Sequence, residues 1–421
     1  MAETSSEQHA QAEAARSAAT AVVRRLVDAG FIAYFAGGCV RDRLMGCEPL
    51  DYDVATSAKP TEIRELFPRA QAVGESFGVM LVRIRGRSIE VATFRTEGIY
   101  SDGRHPDTVT FSDAEHDARR RDFTINGMFE DPLRDAGAII DYVGGRADLE
   151  ARIIRAIGDP HARLREDRLR MLRAVRFAAR FGFAIEADTA DAIRTGCEHL
   201  EGVSRERIGQ ELRRMLSDAN RAVAAWELQY LGLDRVVLNE PHLTVAPTRT
   251  GRLPDRAPYT TALAAWLLDR HESSAGSIED LKEVLSRWSA ALVLSNSEIA
   301  AAGRCLEIYL MLRDHWNSIG VARQKRLAAM PEFTQALAIF QTLDRPGFIE
   351  IKRRIAELAE TGIQPPPLIA GHDLIRAGFT PGPSFKRILD AVYDSQLEGV
   401  VRDRDGALRL AQSLGRDYMD T

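Results

Sequence analysis

Apolar and polar positions alternate in two different rhythms along this chain. Residues 7–29 follow the helical period and read as an amphipathic helix stopped by Gly30. Short apolar runs follow at 31–36, 50–55, 79–85, 88–94 and 108–111, with helical stretches at 39–46 and 60–67 between some of them. That pattern predicts a small α/β or α+β domain ending near residue 150. After Ile157-Gly158-Asp159-Pro160 the rhythm turns helical and stays so. Residues 161–181 and 204–217 are strongly helical, and helices are expected again at 259–271, 278–292, 297–318 and 321–342. The Pro-, Thr- and Arg-rich stretch 240–257 reads as a linker or loop, and Gln364-Pro365-Pro366-Pro367 breaks the chain before a last helical unit at 371–417. No internal repeat and no long low-complexity segment interrupts this order.

A length of 421 residues suggests two to four domains. The composition is that of a globular protein, and no apolar run approaches the ~20 residues of a membrane span. Residues 1–20 carry Glu3, Glu7 and Glu13 and lack an apolar core, so neither a signal nor a transit peptide is expected. Cys39, Cys47, Cys197 and Cys305 are scattered without metal or disulfide spacing, which fits a reducing cytoplasm. The net charge of −5 argues mildly against a nucleic-acid partner, but basic residues cluster at 119–121 and from Arg163 to Arg180, and local stripes decide phosphate binding. Only five of the 56 basic residues are lysine, a bias that codon usage explains more simply than selection does.

The densest chemistry lies in Gly37-Gly38-Cys39-Val40-Arg41-Asp42 and Asp51-Tyr52-Asp53. Residues i and i+2 of a strand face the same way, with Cα atoms roughly 7 Å apart. Two carboxylates so placed can hold a pair of divalent ions about 3.5–4 Å apart, the arrangement of phosphoryl and nucleotidyl transfer. The glycine pair lets backbone N–H groups approach a triphosphate with no Cβ in the way. Glu90, in the alternating run Ser88-Ile89-Glu90-Val91-Ala92, offers a third carboxylate from a second strand. Taken singly, each has a plainer reading: an acidic pair capping a turn, a strand residue facing solvent.

Two further runs add to this. In Arg120-Arg121-Asp122-Phe123-Thr124-Ile125-Asn126 the arginines can neutralise phosphate oxygens with a fixed fork, and Asn126 can bond a ribose hydroxyl. In Glu166-Asp167-Arg168-Leu169-Arg170, Asp167 and Arg170 are spaced i, i+3 on a helix face. An acceptor beside a donor matches the amino group and bare ring nitrogen that cytosine and adenine both present; uracil and guanine present the opposite polarity. On spacing alone, a surface ion pair is the stronger reading of this pair.

Together, residues 37–56, the run 120–126, the stretch from Ile157-Gly158-Asp159-Pro160 through Glu166-Asp167 to Arg176-Phe177-Ala178, and Ser204-Arg205-Glu206-Arg207-Ile208 resemble the class II tRNA nucleotidyltransferases, the CCA-adding enzymes, with the bacterial poly(A) polymerases as relatives. The resemblance is dense over residues 31–217. It implies an α+β fold with a palm-like nucleotidyltransferase head and all-helical neck, body and tail. The implied division is an N-terminal helix (1–30), the head (31–150), a neck bearing the base-recognition helix (151–235), a body (236–363) and a tRNA-binding tail (364–421). It implies that Asp51 and Asp53 bind two Mg²⁺ with Glu90 as a third catalytic carboxylate. Gly37, Gly38 and Arg41 would cradle the triphosphate. Arg121, Asp122 and Asn126 would contact ribose and phosphates, and Asp167 and Arg170 would read the base. Glu206 and Arg207 would brace the neck. The implied partners are the tRNA acceptor end, CTP and ATP, with no membrane and no protein partner, in the cytoplasm.

The segment Tyr100-Ser101-Asp102-Gly103-Arg104-His105-Pro106 resembles the loop with which full CCA-adding enzymes switch from C to A. Gly74-Glu75-Ser76-Phe77-Gly78 carries an acid and no Arg or Lys, which departs from the poly(A) polymerase pattern. Near the C-terminus, Ala370-Gly371-His372-Asp373-Leu374-Ile375 and Gly378-Phe379-Thr380-Pro381-Gly382-Pro383 resemble a terminal segment of many bacterial CCA-adding enzymes, and Lys386 and Arg387 there could meet a tRNA phosphate. His372-Asp373 is not expected to form a phosphohydrolase site, since His242, His271 and His315 lack the neighbours of a metal site. The alternatives are a CC-only, A-only or poly(A)-adding enzyme, and a non-catalytic RNA-binding protein on the same fold.

Overall fold

The structure, a computed structural model, describes residues 2–74, 78–97, 109–134 and 137–419. The expected switching loop at 100–106 and residues 75–77 lie outside the described residues. The chain forms two compact units, residues 1–244 with 291–293 and residues 245–290 with 294–421.

The first unit begins with helix α1 (Ala2–Asp28), whose Ala15, Ala18, Ala19, Val22, Val23 and Leu26 form one buried stripe in the core of the sheet domain. There follow β1 (Ala33–Ala36), α2 (Gly38–Leu44), β2 (Asp53–Thr56), α3 (Pro60–Leu66), β3 (Gln71–Gly74), β4 (Val79–Ile84) and β5 (Arg87–Thr93). A separate two-stranded ribbon, β6 (Arg95–Glu97) and β7 (Val109–Phe111), leads to α4 (Ala114–Arg119), a 3-10 turn at Thr124–Asn126, β8 (Phe129–Asp131), β9 (Ala138–Ile140) and α5 (Gly145–Ala151). The main sheet has the order β3-β4-β5-β2-β1-β8-β9. Its pairings are antiparallel except β2 with β5, where Asp53 is the register partner of Glu90.

Two expectations change here. The strand expected over 50–55 begins only at Asp53, so Asp51 stands in the irregular approach to it and alternation places Asp53 alone on the strand. The helix expected over 161–181 is two helices, α6 (Pro160–Glu166) and α7 (Arg170–Phe181), broken at Asp167. Asp167 has extended backbone (φ −134°, ψ 104°), and its own carboxylate accepts from the Leu169 N–H at 3.1 Å. That local bond replaces a helical one, as short acidic side chains tend to do. Helices α8 (Ala187–Gly196) and α9 (Arg205–Leu216) complete the part of this unit that bears on the site.

The second unit is helical among its described residues. The stretch read as a linker contains a short helix, Thr248–Arg252, whose Arg249 and Thr250 N–H groups donate to Asp269. The single helix expected over 321–342 is two, Val321–Ala328 and Phe333–Gln341, parted before Pro331. Trp266 and Trp288, 5.3 Å apart between ring centroids, are fully buried in this unit. A distinct apolar cluster, including Leu374, Ile388, Val392 and Ala407, holds the last three helices together. Asp373 there accepts from the Ala370 N–H and pairs with Arg404, a structural use of the residue. Among the described residues no helix is long and apolar enough to cross a membrane.

Candidate active site

An open cleft of about 510 Å³ in the first unit gathers nine of the expected site residues: Gly37, Gly38, Arg41, Asp53, Arg121, Asp122, Asn126, Asp167 and Arg170. Arg120, Arg173 and Phe177 share its wall. Asp51 and Glu90 do not line it, yet both act on Asp53. Desolvation first, then the negative charges of Glu90 and Asp51, push the Asp53 carboxyl up to about 6, against the opposing pull of Arg121. Asp53 is open to a water probe and still poorly hydrated, because protein crowds it on most sides. A carboxylate held up by neighbouring carboxylates is a seat for a cation. Among the described residues no group of three or more His, Cys, Asp and Glu converges closely enough to hold a metal by itself. Asp53, with Glu90 and Asp51 near it, offers the hard carboxylate oxygens that a divalent cation takes.

Above Asp53 the chain turns through Gly37, whose φ of +73° is costly for any residue with a side chain. A Cβ there would also lie 3.0 Å from Arg121 Nη1. Arg121 is aimed by Asp117, which is 1% exposed and takes Arg121 at 3.0 Å and Arg120 at 2.7 Å. Burial alone would raise the Asp117 carboxyl, but Arg121 and Arg120 outweigh it and hold it low. One buried acid thus fixes two arginines at the cleft.

Asp122 is the second hub. It accepts Arg173 through Nε at 2.8 Å and Nη2 at 2.6 Å, the Asn126 amide at 3.0 Å and the Phe123 N–H at 2.8 Å. Desolvation opposes ionisation, and Arg173 with these hydrogen bonds overcomes it, bringing Asp122 down to about 2. Asn126 passes the chain on, its carbonyl accepting Arg41 Nη1 at 2.5 Å. Arg41 also holds Asp42 and lies over the rings of Phe177 and Phe181, 5.4 and 4.6 Å from their centroids. Arg41 and Asn126 are thus engaged with each other within the protein.

Asp167 and Arg170 are not paired with each other. Arg207, from α9, donates to both Asp167 oxygens at 2.9 and 3.1 Å. Arg170 donates to Glu166 and to the Arg163 carbonyl. Of the two residues expected to brace the neck, Arg207 bonds Asp167 directly, and Glu206 is exposed in the first turn of α9.

Comparison with known proteins places this geometry. Residues 33–155 match the poly A polymerase head domain, and residues 182–245 match the probable RNA and SrmB-binding site of polymerase A. A protein of Limosilactobacillus fermentum named CCA-adding enzyme is 32% identical over 403 residues, 93% of this chain and 96% of its own. One of Geobacillus kaustophilus with the same name is 34% identical over 91% of this chain and 93% of its own. The chain belongs to the CCA-adding enzyme family. The crystal structure of the Bacillus stearothermophilus CCA-adding enzyme in complex with CTP superposes with a TM-score of 0.73 at 29% identity, covering 96% of this chain and 98% of that one. The Thermotoga maritima CCA-adding enzyme complexed with tRNA shares the fold, with a TM-score of 0.66 at 22% identity over 94% of each chain.

Within this CCA-adding enzyme fold, the residues that sequence reasoning passed over are Asp117, behind the cleft, and Arg173, in its wall. Asp117 precedes Arg120 and Arg121 by three and four positions on α4 and the turn after it, so helical spacing held the signal. Arg173 lies one turn after Arg170, but its partner Asp122 is 51 residues away in sequence, and no local pattern announces that pair.

Proposed function

We propose that this protein adds C, C and A stepwise to the 3′ end of tRNA, using CTP and ATP and releasing pyrophosphate, in the cytoplasm. The observation that carries the reading is the cleft itself: Asp53 in register with Glu90, beneath a glycine turn and arginines fixed by buried acids. The names of relatives that match over nearly the whole chain support it.

In this reading Asp53, Asp51 and Glu90 hold Mg²⁺, which when bound supplies acidification of the tRNA 3′-hydroxyl and neutralises charge on the departing pyrophosphate. The chain's own groups do the rest. Gly37 and Gly38 leave room for the triphosphate, and Arg121 and Arg120 meet its oxygens without first having to be ordered, because Asp117 already holds them. Asp122 and Asn126 keep Arg41 in place. Asp167 accepts from the amino group of cytosine or adenine and Arg170 donates to the adjacent ring nitrogen. Uracil or guanine would set acceptor against acceptor and donor against donor, leaving polar groups of the protein and the base unpaired once the base covers them. Residues 1–30, 31–150, 151–235, 236–363 and 364–421 serve in this reading as N-terminal helix, head, neck, body and tRNA-binding tail.

The test is a gel at single-nucleotide resolution with labelled tRNA ending at the discriminator base, Mg²⁺, CTP and ATP. Growth by three residues and then arrest is the expected result. Growth by two would make the protein a CC-adding specialist, and a long ladder a poly(A) polymerase. No growth on this tRNA or on one already ending in CC would leave a non-catalytic RNA-binding protein.

A further inference from the structure

The arginine-rich segment that supplies Arg170 and Arg173 to the nucleotide cleft also carries Arg165 and Arg168, which are not among the cleft's lining residues. On α6 and the turn after it, His161, Leu164, Arg165 and Arg168 follow one another at helical spacing, and this face packs toward α8. There a second cavity of about 490 Å³ opens. Its floor is apolar, made by Leu164, Met171 and Ala192. Its polar lining is His161, Arg165, Arg168, Thr195 and His199, with no carboxylate among the lining residues. In a chain whose acidic residues outnumber its basic ones by 61 to 56, a pocket ringed by bases alone is a local inversion of charge.

Two of these groups are also uncommitted. Among the described residues neither Arg165 nor His161 has a side-chain ion-pair partner, although Arg163, Arg170, Arg173 and Arg176 all do. Arg168 spends one Nη1 bond on the His199 carbonyl at 3.3 Å, which fixes its plane against the rim, and its Nε is buried without a hydrogen-bond partner. A buried N–H left unmade costs free energy until something accepts from it.

We propose that this pocket is a binding site for an RNA backbone phosphate, held at its mouth by Arg165, Arg168, His161 and His199. The proposal rests on the reading of the protein as a tRNA-extending enzyme and adds to it a contact on the opposite face of α6 from Arg163 and Glu166, which bond Arg170 of the nucleotide cleft. A phosphate contact of this kind positions the RNA without reading its sequence.

The test compares wild-type protein with Arg165→Glu and with the double variant Arg165→Ala/His199→Ala, all residues on the surface and outside the nucleotide cleft. Binding of labelled tRNA is measured across a salt series, which needs no catalysis, and KM for tRNA and for CTP is measured in the extension assay. The expected result is a tRNA Kd raised about ten-fold or more, a salt slope shallower by about one, and an unmoved KM for CTP. Arg165→Lys should restore most of the affinity, which separates loss of charge from loss of folding. Unchanged tRNA affinity and salt slope in both variants would overturn the proposal. So would a raised CTP KM with unchanged tRNA binding, which would make the pocket a seat for free nucleotide. Failure of the wild-type protein to extend tRNA, with variants that still lose RNA affinity, would sink the functional reading and leave the pocket standing.

Discussion

Asp53 on one strand is the in-register partner of Glu90 on its parallel neighbour. Residues so paired project to the same side of a sheet, and the two charges repel. Asp53→Ala should lower nucleotide transfer by at least about 10³-fold, some 4 kcal/mol of lost barrier reduction, while tRNA affinity measured by filter binding changes little. Retention of transfer by this variant would remove the metal assignment.

The same repulsion has a stability signature. The Asp53 carboxyl is raised to about 6 from its ordinary 3.8, so the native state prefers it protonated. Ionised Asp53 therefore opposes folding more and more as pH rises from about 4 through about 6, and the full cost stands above that. In buffer free of divalent ions at pH 7.5, Asp53→Asn should melt at a higher temperature than wild type. Adding Mg²⁺ should raise the wild-type Tm and leave the variant nearly unmoved. Calorimetry showing equal Mg²⁺ shifts in both proteins would contradict this.

Asp122 works with the opposite sign. Its folded-state value of about 2 lies below the ordinary 3.8, so its contribution is whole above about pH 4 and is lost as pH falls through about 2. Asp122→Asn should cost about 2 kcal/mol at pH 7, and the gap to wild type should close between pH 4 and 2 in urea titrations. A gap that persists at low pH would mean that packing, not the charge on Asp122, carries the effect.

Base choice should respond to two substitutions in graded fashion. Arg170→Ala removes the donor and should reduce discrimination of CTP against UTP, read as a ratio of kcat/KM, by about 10²-fold or more. Arg207→Ala leaves the base-reading pair intact but unties Asp167, and a smaller loss is expected. Equal, unchanged ratios in both variants would remove the base-reading role.

Gly37→Ala places a Cβ 3.0 Å from Arg121 Nη1 at a φ of +73°. The backbone strain is about 1–2 kcal/mol, and Arg121 must give way. KM for CTP and ATP should rise together, since the triphosphate is common to both. A change confined to one nucleotide would point away from phosphate contact.

What the sequence disclosed and what it hid divide along the range of the interactions. The long amphipathic helix, the apolar runs of β4 and β5, and the glycine turn are local patterns, and periodicity finds them. Strands β3, β8 and β9 have three or four residues each, too few for a period to register. The break at Asp167 escaped because the flanking residues are good helix formers and the competing bond belongs to a single side chain. The cleft residues were legible as a motif order. Their partners were not: Asp122 with Arg173 and Asp167 with Arg207 are joined across 51 and 40 residues, and only the fold brings them together.

Asp167 and Arg170, the residues proposed to read the base, are moored to different pieces of the chain. Arg170 is tied to Glu166 and the Arg163 carbonyl on α6 and to the Arg120 carbonyl after α4, while Asp167 is tied to α9 through Arg207. Arg207 on α9 therefore acts on Asp167 directly, and α9 reaches Arg170 only through α7, by way of the Arg176–Glu211 pair. In the proposed reading the acceptor and the donor that face a base edge answer to different neighbours, so a cavity that must fit first a pyrimidine and then a purine can be reset at one joint rather than rebuilt.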